Sequence, residues 1–303
     1  MLRIILLSVS VLFAAVAQAN ADYHDTVPIL RIGMLETHPA MADPLRIKTI
    51  EQAFSKTLDI PVEIIRFPDL AALVDAHASA RVKYAIHTAL SYAATESVCT
   101  CIRPFRRPTG SGGTSGFRSV LVMGKNTQRQ PPVIAYSRQQ SLSGWVIPRE
   151  AMLNGSLPEL NEKRAGSVAQ AVAMLADGKA DGIFGWLPEG RDDANLALSD
   201  RVFDGAYANE LQAAGEISIS WLSDPVYNGP HAVHRSLPDD MVEALARFLD
   251  EMPETAPGLL DIIEPLNSGG YQPALREDYQ SLINLVAGMR KDEQTVTSST
   301  PTR

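Results

Sequence analysis

Positive charge is scarce in this sequence. Lys and Arg number 27 against 35 Asp and Glu, which gives a net charge of −8. Nucleic acids and anionic membrane surfaces bind proteins through clustered Lys and Arg, so the composition disfavours both as partners. A small anion is not excluded, because it responds to local dipoles rather than to the net charge.

Motifs of the common enzyme classes are also missing. The chain has no G-x-S-x-G elbow, no Walker loop, no H-E-x-x-H and no G-x-G-x-x-G after a strand. The Gly-rich segment 110–116 precedes a strand rather than a helix, so it predicts a flexible loop. The sequence therefore predicts a protein with neither catalytic residues nor a cofactor. The alternative is a secreted hydrolase using His87 with a serine, but no oriented base is recognisable.

Long apolar runs are confined to the N-terminus. A short basic start is followed by the apolar run 4–17 and then by small residues, which is the order of a secretory signal peptide. The run is shorter than the roughly 20 residues of a membrane span. We predict a signal peptide over 1–21, cleaved within Ala19–Ala21, and a mature chain in the periplasm. The polar tail 291–303 predicts disorder.

Apolar segments of strand length alternate with helical patterns in the rest of the chain. Runs such as Ile29–Met34 and Val62–Phe67 are separated by the helical spacing of Pro44–Leu58. Asp69 and Ser167 are expected to cap two of the helices. This alternation predicts βαβ units, and therefore an α/β fold of mostly parallel sheets flanked by helices.

The alternation starts again after a strand at Val133–Tyr136. We therefore predict two lobes with a ligand cleft between them. The first lobe is discontinuous and comprises 22–122 and 222–290. The second lobe comprises 123–221.

One turn between a strand and a helix has the composition of an anion site. Ser141, Leu142, Ser143 and Gly144 precede a helical segment, and helix N-termini combine free N–H groups with partial positive charge. Two hydroxyl groups at that position predict binding of an oxyanion. The alternative is an ordinary serine N-cap, which is common.

Other candidate residues are histidines and their neighbours. His87, Ser91 and Tyr92 follow a short strand and open a helix, so they are expected at the carboxyl edge of a sheet, where α/β proteins bind ligands. The alternative for His87 is a buried histidine with satisfied hydrogen bonds. His231 and His234 are expected to be surface residues on a strand.

The sequence has two cysteines, Cys99 and Cys101. They are candidate ligands for a soft metal or metalloid, although a structural zinc site is not predicted because no second Cys or His pair has ligand spacing. The alternatives are buried free thiols or a strained disulfide. In an extended strand the two side chains lie too far apart for an easy disulfide, whereas a turn brings them closer.

The order of these segments resembles a known family, the periplasmic phosphonate-binding and phosphite-binding proteins of ABC transporters. The resemblance extends from Leu30 to about Val286. The segments that carry it are LRIGMLET, FPDLAALVDA, ALSYAA, GFRSVLVMGKN, SLSGWVIPRE, GSVAQAVAMLADGKADGIFGW, SDPVYNGPHAVHRSLP and REDYQSLI. It implies a type II periplasmic binding protein whose two lobes close over the ligand.

The resemblance also implies roles for particular residues. The family's S-T-S-G turn, which grips phosphonate oxygens, corresponds to Ser141–Gly144, where Leu142 replaces one hydroxyl. Two family tyrosines correspond to Leu70 and His87. The carboxylates that hold a substrate amine correspond to Ala169 and Gly229, neither of which is acidic.

These departures predict the ligand class. An ammonium group buried without a carboxylate would be unpaired, so the expected ligand is phosphite, methylphosphonate or another compact oxyacid without an amine. An arsenite-binding branch of the same superfamily, which signals to a sensor histidine kinase through a cysteine, is the alternative, with Cys99 and Cys101 as metalloid ligands. The expected protein partner is an inner-membrane ABC permease or that kinase, and the expected state is a monomer.

Overall fold

The computed structural model of the chain describes residues 23–110, 112–125, 129–190 and 196–298, and for 291–298 it describes the backbone alone. The predicted signal peptide, 1–21, lies outside the described residues, as does the end of the predicted disordered tail. None of the described helices is both long and apolar enough to cross a membrane.

Strands and helices alternate along the chain. The strands are β1 (Leu30–Leu35), β2 (Val62–Phe67), β3 (Tyr84–Ile86), β4 (Ile102–Pro108), β5 (Gly116–Gly124), β6 (Val133–Tyr136), β7 (Asn161–Arg164), β8 (Gly182–Pro188), β9 (Ile217–Tyr227), β10 (His231–His234) and β11 (Tyr271–Pro273). The helices are α1 (Tyr23–Thr26), α2 (Pro44–Leu58), α3 (Leu70–Ala78), α4 (Ala89–Cys99), α5 (Ile147–Leu153), α6 (Val168–Ala176), α7 (Leu198–Arg201), α8 (Ala208–Ala213), α9 (Asp239–Thr255), α10 (Pro257–Ile263) and α11 (Gln280–Ser298). A π-helical turn covers Leu142–Val146, and 3-10 turns cover Pro39–Ala42, Val202–Gly205 and Arg276–Tyr279.

The predicted helix caps are confirmed. Asp69 Oδ1 accepts a hydrogen bond from the Ala72 N–H (2.8 Å) at the start of α3. Ser167 Oγ accepts one from the Gln170 N–H (3.2 Å) at the start of α6. Each cap satisfies an N–H group that has no partner inside its own helix.

Two sheets define the two lobes, and both sheets are mixed. The first has the strand order β11-β4-β10-β3-β1-β2, and the second has the order β7-β6-β8-β5-β9. Parallel pairing is confined to β2-β1-β3 and β7-β6-β8; the other pairs are antiparallel. The prediction of mostly parallel sheets is therefore wrong. The antiparallel pairs involve the strands next to the crossings: β4 pairs with β10 in the first sheet and β5 pairs with β9 in the second. These strands are far apart in the chain, so the local sequence does not indicate their direction.

Helices cover both faces of the first sheet. The largest apolar cluster packs α2, α9 and α10 against one face, with Ile32, Phe54, Tyr84 and Leu245 fully buried. A second cluster packs α4 and α11 near the other face. The second lobe has its own clusters on either side of its sheet. The two-lobed α/β architecture predicted from the sequence is confirmed.

The connections between the lobes lie outside the strands. The first crossing is 109–115 and the second is 228–230, because β5 and β9 pair with each other in the second sheet from Gly116↔Tyr227 to Gly124↔Ile217. The predicted lobe boundaries at 122 and 222 fall inside these two strands. Nothing in the local sequence separates the end of a crossing from the strand that follows it.

The C-terminal helix differs from the prediction. Helix α11 continues through Ser298, whereas the polar composition predicted disorder from residue 291. Lys, Glu and Gln in this segment are good helix formers, and the preceding turns of α11 are anchored on α4 by buried Leu282, Ile283 and Val286.

Candidate functional site

A cleft lies between the two lobes. Its volume is about 420 Å³. The first lobe contributes the ends of β1 and β3 and the segment after α10, and the second lobe contributes the ends of β5 and β8 and the turn before α5. The carboxyl ends of parallel strands therefore border the cleft, as expected for α/β proteins.

The predicted oxyanion turn borders this cleft, but its four residues differ in role. Leu142 and Ser143 line the cavity. Ser141 is an N-cap, since its Oγ accepts a hydrogen bond from the Gly144 N–H at 3.1 Å. Gly144 is buried, and a Cβ there would lie 2.8 Å from Ser141 Oγ. Ser141 and Gly144 thus shape the turn, while Leu142 and Ser143 face the ligand space.

Ser143 has a hydroxyl group available to a ligand. Its carbonyl oxygen accepts a hydrogen bond from Ser119 Oγ (2.6 Å) on β5, which holds the turn against the sheet. Among the described residues, none forms a hydrogen bond with Ser143 Oγ. The π-helical turn continues directly into α5, so the N–H groups of its first turn add partial positive charge at the same place.

His87 lines the cleft, but its ring nitrogens already have partners. His87 Nε2 lies 2.8 Å from His77 Nδ1, and His87 Nδ1 lies 2.9 Å from Ser91 Oγ. Ser91 and Tyr92 are fully buried behind it and do not line the cavity. From this loop, Thr88 and Leu90 reach the cleft instead. The geometry matches the alternative for His87, a buried histidine with satisfied hydrogen bonds.

Burial keeps this histidine pair neutral. Desolvation lowers the pKa of His77 to about 3, and it lowers the pKa of His87 well below the ordinary value, with His77 as a further cause. His77 Nε2 is buried and has no partner in the described structure, so a proton there would be unsolvated. The pair therefore brings no positive charge to the cleft.

The histidine pair predicts how stability depends on pH. Unfolded histidines become protonated below about pH 6.5, whereas His77 stays neutral in the fold down to about pH 3. Unfolding therefore takes up protons in this window. We expect the free energy of unfolding to fall as pH drops, by about 1.4 kcal/mol per pH unit for each such histidine.

Urea denaturation between pH 7 and pH 4 measures this dependence. His77→Gln should make the slope shallower, whereas His24→Gln, at an exposed position, should leave it unchanged. An unchanged slope in His77→Gln would show that other groups account for the pH dependence.

A second buried network brings an acidic side chain to the cleft. His231 is fully buried, its Nδ1 hydrogen-bonds to Tyr84 OH, and its Nε2 lies 2.8 Å from Glu264 Oε1. The sequence-based expectation that His231 lies at the surface is wrong, because β10 is an inner strand of the first sheet. Glu264 lines the cleft with its side chain only 10 % exposed.

Among the described residues, the side chains that bring a formal charge to the cleft are acidic. Glu264 from the first lobe and Asp204 from the second both line it, and no Lys or Arg of the described residues does so. His38, which also lines it, has its pKa lowered, chiefly because burial desolvates the ring. The premise that the cleft lacks a carboxylate is therefore wrong. No motif marked these acids: Asp204 lies within the 3-10 turn Val202–Gly205, and Glu264 directly follows α10.

The positions that correspond to the family's carboxylates, Ala169 and Gly229, and to one of its tyrosines, Leu70, bring no side chain of those kinds to this cleft. Ala169 is exposed on α6 and does not line the cavity, and Leu70 does not line it either. Gly229 does line it. A Cβ at Gly229 would lie 2.0 Å from the His87 carbonyl oxygen, so no side chain fits there.

The two cysteines form a disulfide outside the cleft. Cys99 and Cys101 are bonded to each other with a Cα–Cα distance of 5.0 Å, and neither lines the cavity. The two cysteines do not lie in an extended strand. Cys99 ends α4, and Thr100 turns the chain with a left-handed backbone (φ 50°). A thiol pair for a metalloid is therefore not present in this state.

Comparisons with known proteins agree with this architecture. A family profile described as "ABC transporter, phosphonate, periplasmic substrate-binding protein" matches residues 40–279. The binding component of an ABC phosphonate transporter from Pseudomonas aeruginosa superposes with a TM-score of 0.59 at 14% identity, over 85% of each chain. PhnD1 from Prochlorococcus marinus in complex with methylphosphonate gives 0.60 at 15% identity, over 87% of this chain and 99% of that one. XAC2383 from Xanthomonas citri bound to ATP gives 0.65 at 15% identity, over 88% and 98%. No curated protein matches the chain.

Proposed function

We propose that this protein captures a phosphorus oxyacid and delivers it to an inner-membrane permease. The chain belongs to the family of periplasmic substrate-binding proteins of phosphonate ABC transporters. Proteins of this family bind and do not catalyse. The observation that supports the ligand class is the turn Ser141–Gly144, which brings the Ser143 hydroxyl and a helix N-terminus to the cleft. The P. marinus relative with methylphosphonate is consistent with this class. Export by cleavage of 1–21 belongs to the same proposal.

The oxyacid group is placed by dipoles rather than by cationic side chains. No described Lys or Arg lines the cleft, so hydrogen bonds from Ser143 and from main-chain N–H groups are the available attraction. Such bonds to a charged oxygen contribute about 1.5–3 kcal/mol each. We do not restrict the ligand to oxyacids without an amine. That restriction assumed a cleft without carboxylates, whereas Glu264 and Asp204 both line it.

Calorimetric titration of the mature protein tests the proposal. Phosphite, methylphosphonate and phosphate are titrated into the wild type and into Ser143→Ala. Loss of one hydrogen bond to a charged oxygen should weaken oxyacid binding about tenfold or more. Ser220→Ala, at an exposed position of β9 away from the cleft, should bind as the wild type does. Equal affinities in wild type and Ser143→Ala would remove this turn from the binding site.

Arsenite is titrated in parallel into reduced protein and into Cys101→Ser. We expect the oxyacid affinity to be unchanged in Cys101→Ser, because the disulfide does not line the cleft. Arsenite binding that disappears in Cys101→Ser, with no binding of phosphorus oxyacids, would replace the proposal by metalloid sensing.

A further inference from the structure

Two aromatic rings form a corner on the second lobe's side of the cleft. Phe117 on β5 and Trp186 on β8 both line the cavity. Their ring centroids are 6.4 Å apart and their planes lie at 69°. Trp186 is supported from behind by the buried ring of Phe203, at 6.5 Å and 85°. Contacts among these three rings therefore hold the corner in place.

Ring faces in this arrangement attract cations. The π-electron quadrupole makes the face of Trp or Phe negative, and quaternary ammonium ligands are held by such faces. A quaternary ammonium has no N–H group, so it needs no hydrogen-bond acceptor. A primary ammonium would need several acceptors, and Glu264 already has one of its oxygens engaged by His231.

Acidic side chains lie in both walls of the same cleft. Glu264 belongs to the first lobe, and Asp204 directly follows Phe203 in the second lobe. Phe203 and Asp204 both have left-handed backbones (φ 56° and 54°), a conformation that costs free energy in residues other than glycine and that clusters at functional sites. The His231 ring engages only Oε1 of Glu264, so the carboxylate of Glu264 would attract a positive group of a ligand in the cleft.

The size of the cleft also favours a ligand that is larger than a single oxyacid group. A volume of about 420 Å³ is within the range that holds organic ligands of drug size. A single tetrahedral oxyacid leaves most of that space to the apolar and aromatic walls. The cleft therefore has room for a ligand with a second, bulky part.

We propose that the ligand is an oxyacid carrying a quaternary ammonium group, which lies in the corner of Phe117 and Trp186 and faces Glu264. This inference rests on the proposed function, since the oxyacid end lies at the Ser143 turn.

The test compares three probes by calorimetry: phosphocholine, methylphosphonate and choline. Phosphocholine should bind at least tenfold more tightly than either of the others. Trp186→Leu should weaken phosphocholine about tenfold and methylphosphonate less than twofold, because a cation over a desolvated ring is held about this strongly. Trp221→Leu, in the same lobe but outside the cleft, is the matched control and should change neither.

Glu264→Gln separates a binding role from a structural one. The amide keeps an acceptor for His231 but removes the charge, so it should weaken phosphocholine and strengthen methylphosphonate. Equal weakening of both probes, or phosphocholine binding no tighter than methylphosphonate, would overturn the cation site and leave oxyacid binding in place. Choline binding as tightly as phosphocholine would instead overturn the oxyacid end. Absence of binding by any oxyacid would overturn the proposed function itself.

Discussion

Gly229→Ala is expected to lower the free energy of unfolding by about 3 kcal/mol or more, the upper range for overpacking. An added Cβ would lie 2.0 Å from the His87 carbonyl oxygen and 2.6 Å from Thr88 Cα. Both neighbours are backbone atoms, so no side chain can rotate away. The crossing 228–230 and the loop after β3 would have to move apart, which would also displace a wall of the cleft.

Urea denaturation measures the effect, and Gly258→Ala is its control. Gly258 lies in α10, and apart from its chain neighbours and the backbone of its own helix no atom lies within 4 Å of the position of an added Cβ. Alanine there should stabilise the protein, by up to about 1 kcal/mol, because glycine is a poor helix former. Similar effects of the two substitutions would show that the contact at Gly229 relaxes easily.

Arg276→Ala is expected to cost about 3 kcal/mol, the lower end for buried ion pairs that lose one partner, because the arginine side chain is 33% exposed. The side chain of Glu96 on α4 is fully buried, and its Oε1 lies 2.7 Å from Arg276 Nε just before α11. The hydrogen bond to Glu96 raises the pKa of Arg276, so the arginine stays charged. Glu96 Oε2 has no hydrogen-bond partner in the described structure. Without Arg276 the carboxylate would be left buried and uncompensated.

Two further variants identify the cause of that loss. Arg81→Ala breaks an exposed pair with Asp75, whose side chains are 60% and 76% exposed, and should cost less than about 1 kcal/mol. Adding Glu96→Gln to Arg276→Ala should restore part of the stability, because the unpaired charge is removed. If the double variant is no more stable than Arg276→Ala, lost packing of the arginine rather than the buried charge explains the effect.

The disulfide could not be predicted from the local sequence pattern alone. The spacing of Cys99 and Cys101 is compatible with several backbone shapes, and only a turn brings the sulfurs together. That turn exists because α4 ends at Cys99 and Thr100 adopts a left-handed conformation. The end of a helix depends on what packs against its last turn, which a single sequence does not display.

Some residues of the candidate site were predictable from the sequence, and others were not. The turn at Ser141–Gly144 was predictable, since a strand, two serines, a glycine and a helix follow one another directly along the chain. Glu264 and Asp204 were not, because neither belongs to a motif. They reach the cleft only because the 3-10 turn after α7 and the end of α10 lie on opposite walls of it.

By itself, the sequence determined the alternation of strands and helices, their caps, the two-lobed α/β class and the family, since hydrophobic periodicity and turn residues act over a few positions. The tertiary structure alone decided the mixed pairing of the sheets, the burial of His87 and His231, and the acidic, aromatic character of the cleft. Each of these depends on contacts between segments far apart in the chain. Their free energies come from packing and desolvation, which a local pattern does not encode.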